Sequence, residues 1–145
     1  MIGASLRFEN LSKRYGNVVA LAGLNLELQP GEFMTFLGAS GSGKTTALNI
    51  VAGFSDATSG DVKVNGASVL GLPPERRNVG MVFQSYSLFP HLNVFENVAF
   101  PLRLRRVREP ELTRRVNASL EMIQMASFGN RLPKELSGGQ CQRVA

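Results

Sequence analysis

Cysteine is nearly absent from these 145 residues, with Cys141 its single occurrence. That excludes an internal disulfide and leaves too few thiolates for a structural zinc site, which fits a reducing compartment. No apolar run approaches the roughly 18 residues that cross a bilayer, and the opening MIGASLRFEN lacks the apolar block of a secretory signal. The expectation is a chain that is cytoplasmic or peripheral on a membrane. There is no internal repeat and no low-complexity tract. Histidine occurs once, at His91, and aspartate only at Asp56 and Asp61.

What the chain does have is apolar side chains, 43% of its residues, enough for one ordinary domain with a buried core. Basic residues outnumber acidic ones by 16 to 11, and six arginines crowd between Arg103 and Arg115. Such a block suits nucleic acid, acidic lipid or a partner protein, or is simply a solvated face. It has no interleaved aromatics of the single-strand-binding kind.

Hydropathy patterning gives the elements. In VVALAGLNLEL, Leu24, Leu26 and Leu28 fall on one side and Asn25, Glu27 and Gln29 on the other. This period of two, shared by the first thirty residues, predicts half-buried strands. Pro30-Gly31 closes that region with a turn. FMTFL (33–37) and VGMVF (79–83) are short apolar runs without alternation, as expected of strands covered on both faces in a parallel sheet. A helix is expected over Thr46–Ala52, with Gly53 as its stop, and a hairpin around Asn65-Gly66 within residues 60–70. The clearest amphipathic helix runs from about Pro110 to Phe128, with a stripe of Leu112, Val116, Leu120 and Ile123 and with Gly129 as its stop.

Gly38, Ala39, Ser40, Gly41, Ser42, Gly43, Lys44 and Thr45 together satisfy G-x-x-x-x-G-K-[ST]. Glycines let successive backbone N–H groups turn inward on phosphate oxygens, and the helix that follows adds its free amides and the positive end of its dipole. Lys44 supplies a full charge for the terminal phosphates, and Thr45 a hydroxyl for Mg²⁺. The fixed letters arise by chance about once in two hundred chains of this length, and here they sit between an expected strand and an expected helix.

A second glycine turn, LSGGQ (Leu136, Ser137, Gly138, Gly139, Gln140), opens the last helical stretch. Alone it is an N-cap followed by a turn. With the phosphate loop in the same chain, the pair resembles the nucleotide-binding subunits of ABC transporters, whose signature motif it matches letter for letter. The resemblance covers essentially the whole chain. It implies an α/β P-loop NTPase (ABC ATPase) fold, here truncated: an antiparallel β subdomain (1–30 and 60–70), a partial RecA-like core (31–59 and 71–87), and a helical subdomain (88–145) ending in the signature.

The resemblance also assigns roles. ATP and Mg²⁺ are the implied cofactors, bound at Gly38–Thr46 with Thr45 and Gln84 at the metal. Tyr15, in KRYG, matches the aromatic that stacks on adenine; alone it reads as a half-buried tyrosine. Gln84 matches the family's glutamine loop. Residues 85–100 resemble the segment that docks on the permease, and Ser137, Gly138 and Gly139 face a nucleotide held by a second ATP-binding subunit. The substrate-binding protein is an indirect partner, nucleic acid is not expected, and the implied location is peripheral, on the cytoplasmic face of the inner membrane. GEFMTFLGASGSGKTT and LPPERRNVGMVFQSYSLFPHLNVFENVAF are most similar to bacterial importers of polyamines, iron, sulfate and sugars, the polyamine branch above all.

No catalytic residue is identifiable. The family's metal-holding Asp, its water-polarising Glu and its switch histidine have no counterparts: Asp56 and Asp61 do not follow an apolar strand, and His91 precedes the signature. Cys141 stands where relatives commonly have glutamine. The implied object is the N-terminal portion of such a subunit, a fragment or the product of a broken gene. ATP binding is expected to survive without efficient hydrolysis, and the runs 33–37 and 79–83 to be left with open apolar faces. Two other readings stay open: a soluble ABC protein acting in translation or DNA repair, and an ATP-binding regulatory remnant that does not hydrolyse.

Overall fold

The computed structural model describes residues 3–145. The chain forms two compact units, residues 1–81 and Val82–Ala145. In the first, strands β1 (Leu6–Tyr15), β2 (Val18–Leu28), β3 (Ser59–Val64) and β4 (Ala67–Ser68) form an antiparallel sheet in the order β2-β1-β3-β4. Helix α1 (Lys44–Ala52) packs on it. Phe8, Leu11, Ile50, Val51, Val62 and Val69 are its buried core, with Leu24 and Leu26 partly buried against them.

The alternation in β2 behaves as read, with Leu24, Leu26 and Leu28 half-buried and Asn25 and Glu27 exposed. Strand β1 departs from strict period two, because Phe8 and Leu11 are both buried although three residues apart. A bulge reconciles them: the register with β2 shifts between Phe8 and Leu11, and Asn10 takes a φ of 46°. Asn25 braces the bulge, its Oδ1 accepting from Asn10 N–H at 2.8 Å. The hairpin expected at Asn65-Gly66 joins β3 to β4, with φ values of 50° and 79°, the pair of left-handed residues that a two-residue turn of this hand requires.

In the second unit, α2 (Val94–Leu104), α3 (Glu111–Met122) and the short α4 (Gly138–Val144) enclose Val94, Ala99, Leu112, Val116, Leu120 and Met125. Asn93 caps α2 by accepting from Glu96 N–H at 2.8 Å.

The structure corrects three expectations. The helix expected to reach Phe128 ends at Met122. Gln124 turns left-handed at φ 57°, and Met125 N–H closes on Leu120 O at 2.7 Å, which drives the Met125 side chain into the core. The apolar stripe continues past the break because core-facing residues follow it, so periodicity alone could not show the stop. Gly129 is right-handed, φ −49°, after a single 3₁₀ turn at Ala126–Phe128, and does not end the helix.

The other two corrections concern the buried-type strands: residues 33–37 and 79–83 carry no ladder. A parallel strand holds its conformation through neighbours on both sides. Among the described residues no strand forms a ladder with either run, and Phe33 and Leu37 stand 91% and 89% exposed.

Candidate functional site: a phosphate loop at the head of a helix

Residues 38–42 form an exposed turn that runs through the buried Gly43 into the first turn of α1. Gly43 precedes the helix in a left-handed conformation, φ 87° and ψ −1°. Only glycine fits there on two counts: the left-handed backbone, and a Cβ that would lie 2.5 Å from Ala20 O and 3.2 Å from Leu21 Cδ1. Strand β2 is thereby pressed against the base of the loop and fixes where α1 begins.

The first intrahelical bond is Ala47 N–H to Gly43 O, 2.9 Å. The amides of Lys44, Thr45 and Thr46 therefore precede the helical ladder and carry the positive end of the dipole. No side chain caps this end and no acidic residue stands in the first turn. Lys44 folds over the loop and donates from Nζ to Gly38 O and Ala39 O, each at 2.7 Å, and to Ser42 Oγ at 3.0 Å. Thr45 is exposed at the same end. One full charge, a row of helix-end amides and a free hydroxyl thus converge on one turn. This donor set fits a di- or triphosphate, and the Thr45 hydroxyl fits one ligand position of a hard cation.

A cleft of about 520 Å³ opens beside the loop, lined by Phe33, Met34, Phe36, Leu48, Lys44 and Thr45 among others. Its walls are mostly carbon and suit side chains rather than phosphate, so the chemistry belongs to the loop and not to this larger space.

Tyr15 ends β1 in the same unit, half exposed, with its hydroxyl 3.3 Å from Ser55 Oγ, just beyond the C-terminal end of α1. The Lys13 ammonium lies 4.9 Å above its ring. Gln84 and the signature belong to the second unit. Gln84 is exposed, and the chain after it is bent hard, with Tyr86 and Ser87 at φ 64° and 50°. That bend sets the Tyr86 hydroxyl 3.6 Å from where a Cβ on Gly138 would stand, so the stretch after Gln84 lies beside the signature turn.

Ser137 caps α4 reciprocally: its Oγ accepts from Gln140 N–H at 3.3 Å, and Gln140 Oε1 accepts from Ser137 N–H at 2.7 Å. Gly138 and Gly139 are exposed in the first turn, while Leu136 is partly buried against the core of the unit. Cys141 is half-buried, its thiol 3.6 Å from Pro133 O.

The remaining candidates have structural partners. Asp61 Oδ1 accepts from Val62 N–H at 2.8 Å and Ser68 Oγ at 2.6 Å, and the backbone O of Asp56 accepts from Lys13 Nζ. His91 is exposed, edge-on to Phe89. Among the described residues no group of three or more His, Cys, Asp or Glu is placed to hold a metal, and no helix is long and apolar enough to cross a membrane.

Two residues that sequence reasoning passed over organise these segments. Asn97 Oδ1 accepts from Phe89 N–H at 2.8 Å, while its Nδ2 donates to Phe89 O, Leu92 O and Asn93 O at 2.9 to 3.2 Å, pinning 89–93 to α2. Arg77 is buried at the C-terminal end of α1. An asparagine four residues after another in PHLNVFEN was the one available hint of the first. Nothing in PPERRN separates Arg77 from its neighbour Arg76.

Comparison with known proteins agrees with the geometry. The family described as "ABC transporter" matches residues 21–145. The spermidine/putrescine import ATP-binding protein of Thermotoga maritima is 48% identical over the whole chain, and the maltose/maltodextrin import ATP-binding protein of Photorhabdus laumondii is 46% identical over 98% of it. The chain spans 39% and 38% of their lengths, about two fifths. A dimeric ATP-binding cassette solved in a post-hydrolysis state with ADP and Pi matches 96% of this chain and 66% of its own at 33% identity, with a TM-score of 0.85. The fold is therefore the P-loop fold of ATP-binding cassettes, and the chain belongs to the ABC transporter family.

Proposed function

We propose that this chain is the nucleotide-binding portion of an importer's ATPase subunit. The observation that carries the reading is the convergence of the Lys44 ammonium and the leading amides of α1 on one glycine turn with no carboxylate in it. Residues Gly38–Thr46 hold the phosphates of ATP, and Tyr15 supplies an exposed ring for the base. Thr45 offers the loop's hydroxyl to Mg²⁺, which when bound would neutralise phosphate charge, and Gln84 keeps the metal-ligand role that its motif implies. Leu136–Gln140 present a capped helix start to a nucleotide on a second subunit. The solved neighbour, itself a dimeric cassette, supports that pairing. Residues 85–100 dock on a permease, with a substrate-binding protein acting beyond it, at the cytoplasmic face of the membrane. Residues 1–30 with 60–70, 31–59 with 71–87, and 88–145 serve as β, phosphate-loop and helical modules.

The transported solute is a polyamine or another small organic or inorganic ion, in keeping with the names of the import proteins it resembles. Among the described residues no acidic side chain stands in the first turn of α1, so the role assigned to the loop is to bind and position the nucleotide. The test is calorimetric titration with ATP and ADP, with and without Mg²⁺, of the chain and of Lys44→Met. Binding that weakens at least tenfold in the variant is expected. Equal binding, or none in the parent chain, overturns the reading.

A further inference from the structure

We propose that Arg77 is the positioning residue of the phosphate loop, acting from the opposite end of α1; the inference rests on the nucleotide-binding reading above. Arg77 is 5% exposed, and among the described residues no carboxylate meets it. Its guanidinium spends its donors on four backbone carbonyls: Nε on Leu72 O at 2.8 Å, Nη1 on Ile50 O at 2.6 Å and Val51 O at 3.2 Å, and Nη2 on Leu70 O at 3.3 Å. Burying a charge without a counter-charge is unfavourable unless strong dipoles replace the water. The C-terminal carbonyls of a helix are such dipoles, because they carry its negative end.

Helix α1 needs this anchor more than most. At nine residues it is shorter than the roughly 12 to 15 that persist alone in water. Its N-terminal end is uncapped by any side chain, and a phosphate site requires it to stay so. Side-chain anchoring of the helix therefore falls to its other end. There Gly53 N–H bonds Ile50 O at 3.2 Å and Phe54 N–H bonds Asn49 O at 2.9 Å, and Arg77 ties the last turn to Leu70 and Leu72. That segment is itself joined to the sheet through Val69 N–H to Val62 O, 2.9 Å. The guanidinium sits so close that a Cβ on Gly53 would lie 2.7 Å from its Nε and 2.9 Å from its Cζ. Because α1 is one rigid body, a shift of its last turn moves the amides of Lys44, Thr45 and Thr46 by the same amount. About 1 Å is enough to spoil hydrogen bonds to a fixed ligand.

The experiment compares the chain with Arg77→Met and Arg77→Lys in calorimetric titrations with ADP and ATP, below each protein's melting temperature. Amide NMR shifts of residues 41–46 are followed alongside. Expected are a roughly 10- to 100-fold loss of affinity in Arg77→Met, displaced resonances for 43–46, and partial recovery of both in Arg77→Lys. Lower melting temperature with unchanged affinity and unchanged loop resonances would reduce Arg77 to a structural residue and overturn the proposal. If Arg77→Met does not fold, Gly53→Ala, which must displace the guanidinium, is expected to move the same resonances and weaken binding; a folded Gly53→Ala with an undisturbed loop overturns the proposal. If the parent chain binds no nucleotide, the nucleotide reading fails by itself, and the loop resonances still decide whether Arg77 positions this turn.

Discussion

Replacing Gly43 by alanine tests whether the base of the phosphate loop is as tightly built as it looks, and Gly41→Ala is its internal control. Both glycines are left-handed, with φ of 87° and 82°. A Cβ on Gly41 meets nothing within 4 Å, whereas one on Gly43 meets Ala20 O at 2.5 Å. The conformation alone costs about 1–2 kcal/mol in either variant. At Gly43 the obstacle is backbone, which cannot rotate away, so overpacking adds about 1–3 kcal/mol. The totals are about 1–2 for Gly41→Ala and about 2–5 kcal/mol for Gly43→Ala, the latter a large fraction of a domain's usual 5–15. Urea unfolding followed by far-ultraviolet circular dichroism separates them. With slopes of about 1–3 kcal/mol per molar, the midpoint of Gly43→Ala should lie roughly 1 M below that of Gly41→Ala. Coincident midpoints would refute the claim that β2 presses on the loop.

Asn97→Ala removes the acceptor of Phe89 N–H and the side-chain donor of Leu92 O, while Phe89 O and Asn93 O keep backbone donors, which should cost about 1–3 kcal/mol and raise hydrogen exchange in 89–93 while α3 stays protected; unchanged exchange there contradicts the pinning role. Ser137→Ala removes one half of the α4 cap and should cost about 1 kcal/mol, read as lost helical NMR shifts over 138–144; Ser137→Thr should keep most of them. Glu111 is held at about 2, chiefly by its hydrogen bond from Arg114 and then by that from Arg115. Its folded value lies below the ordinary 4.5, so its support of α3 is complete above about pH 4.5 and fades as pH falls toward 2. The carboxyl carbon should titrate near pH 2 by NMR, and a midpoint above 4 would show that the two arginines do not hold it.

Local chemistry was the part of the fold legible in the sequence. The Asn65-Gly66 turn, the Gly53 stop, the capped start at Ser137 and the alternation of β2 each depend on residues within a few positions of one another, and each appears where it was read. The misses share a different cause. The end of α3 is set by one left-handed residue, Gln124, which polar side chains adopt without advertising it. The runs 33–37 and 79–83 have strand composition, but a strand is a relation to a neighbour, and composition records the appetite for a partner without supplying one. Of the candidate site, the loop was legible because the spacing of its glycines sets the turn. Arg77 was not, since its partners are main-chain carbonyls that any sequence provides.

Among the described residues, Lys44 and Arg77 are held by carbonyls and a hydroxyl at opposite ends of α1, and the difference between the two cations suits the division of labour proposed for them. Lys44 lies at the exposed end, on three rotatable donors whose acceptors all belong to the loop. It has no carboxylate partner to surrender, so a phosphate oxygen can replace those acceptors at little cost, and a compact ammonium on a flexible stem suits a group that must change partners. Arg77 lies at the buried end, where its planar fork spans carbonyls of two segments and water cannot compete. A guanidinium is poorly suited to exchange and well suited to fixing geometry. Exchanging the two residue types should therefore cost at both ends: lysine at 77 spans fewer carbonyls and restores the anchor only in part, and arginine at 44 carries a planar group too large for a turn that closes around a single Nζ.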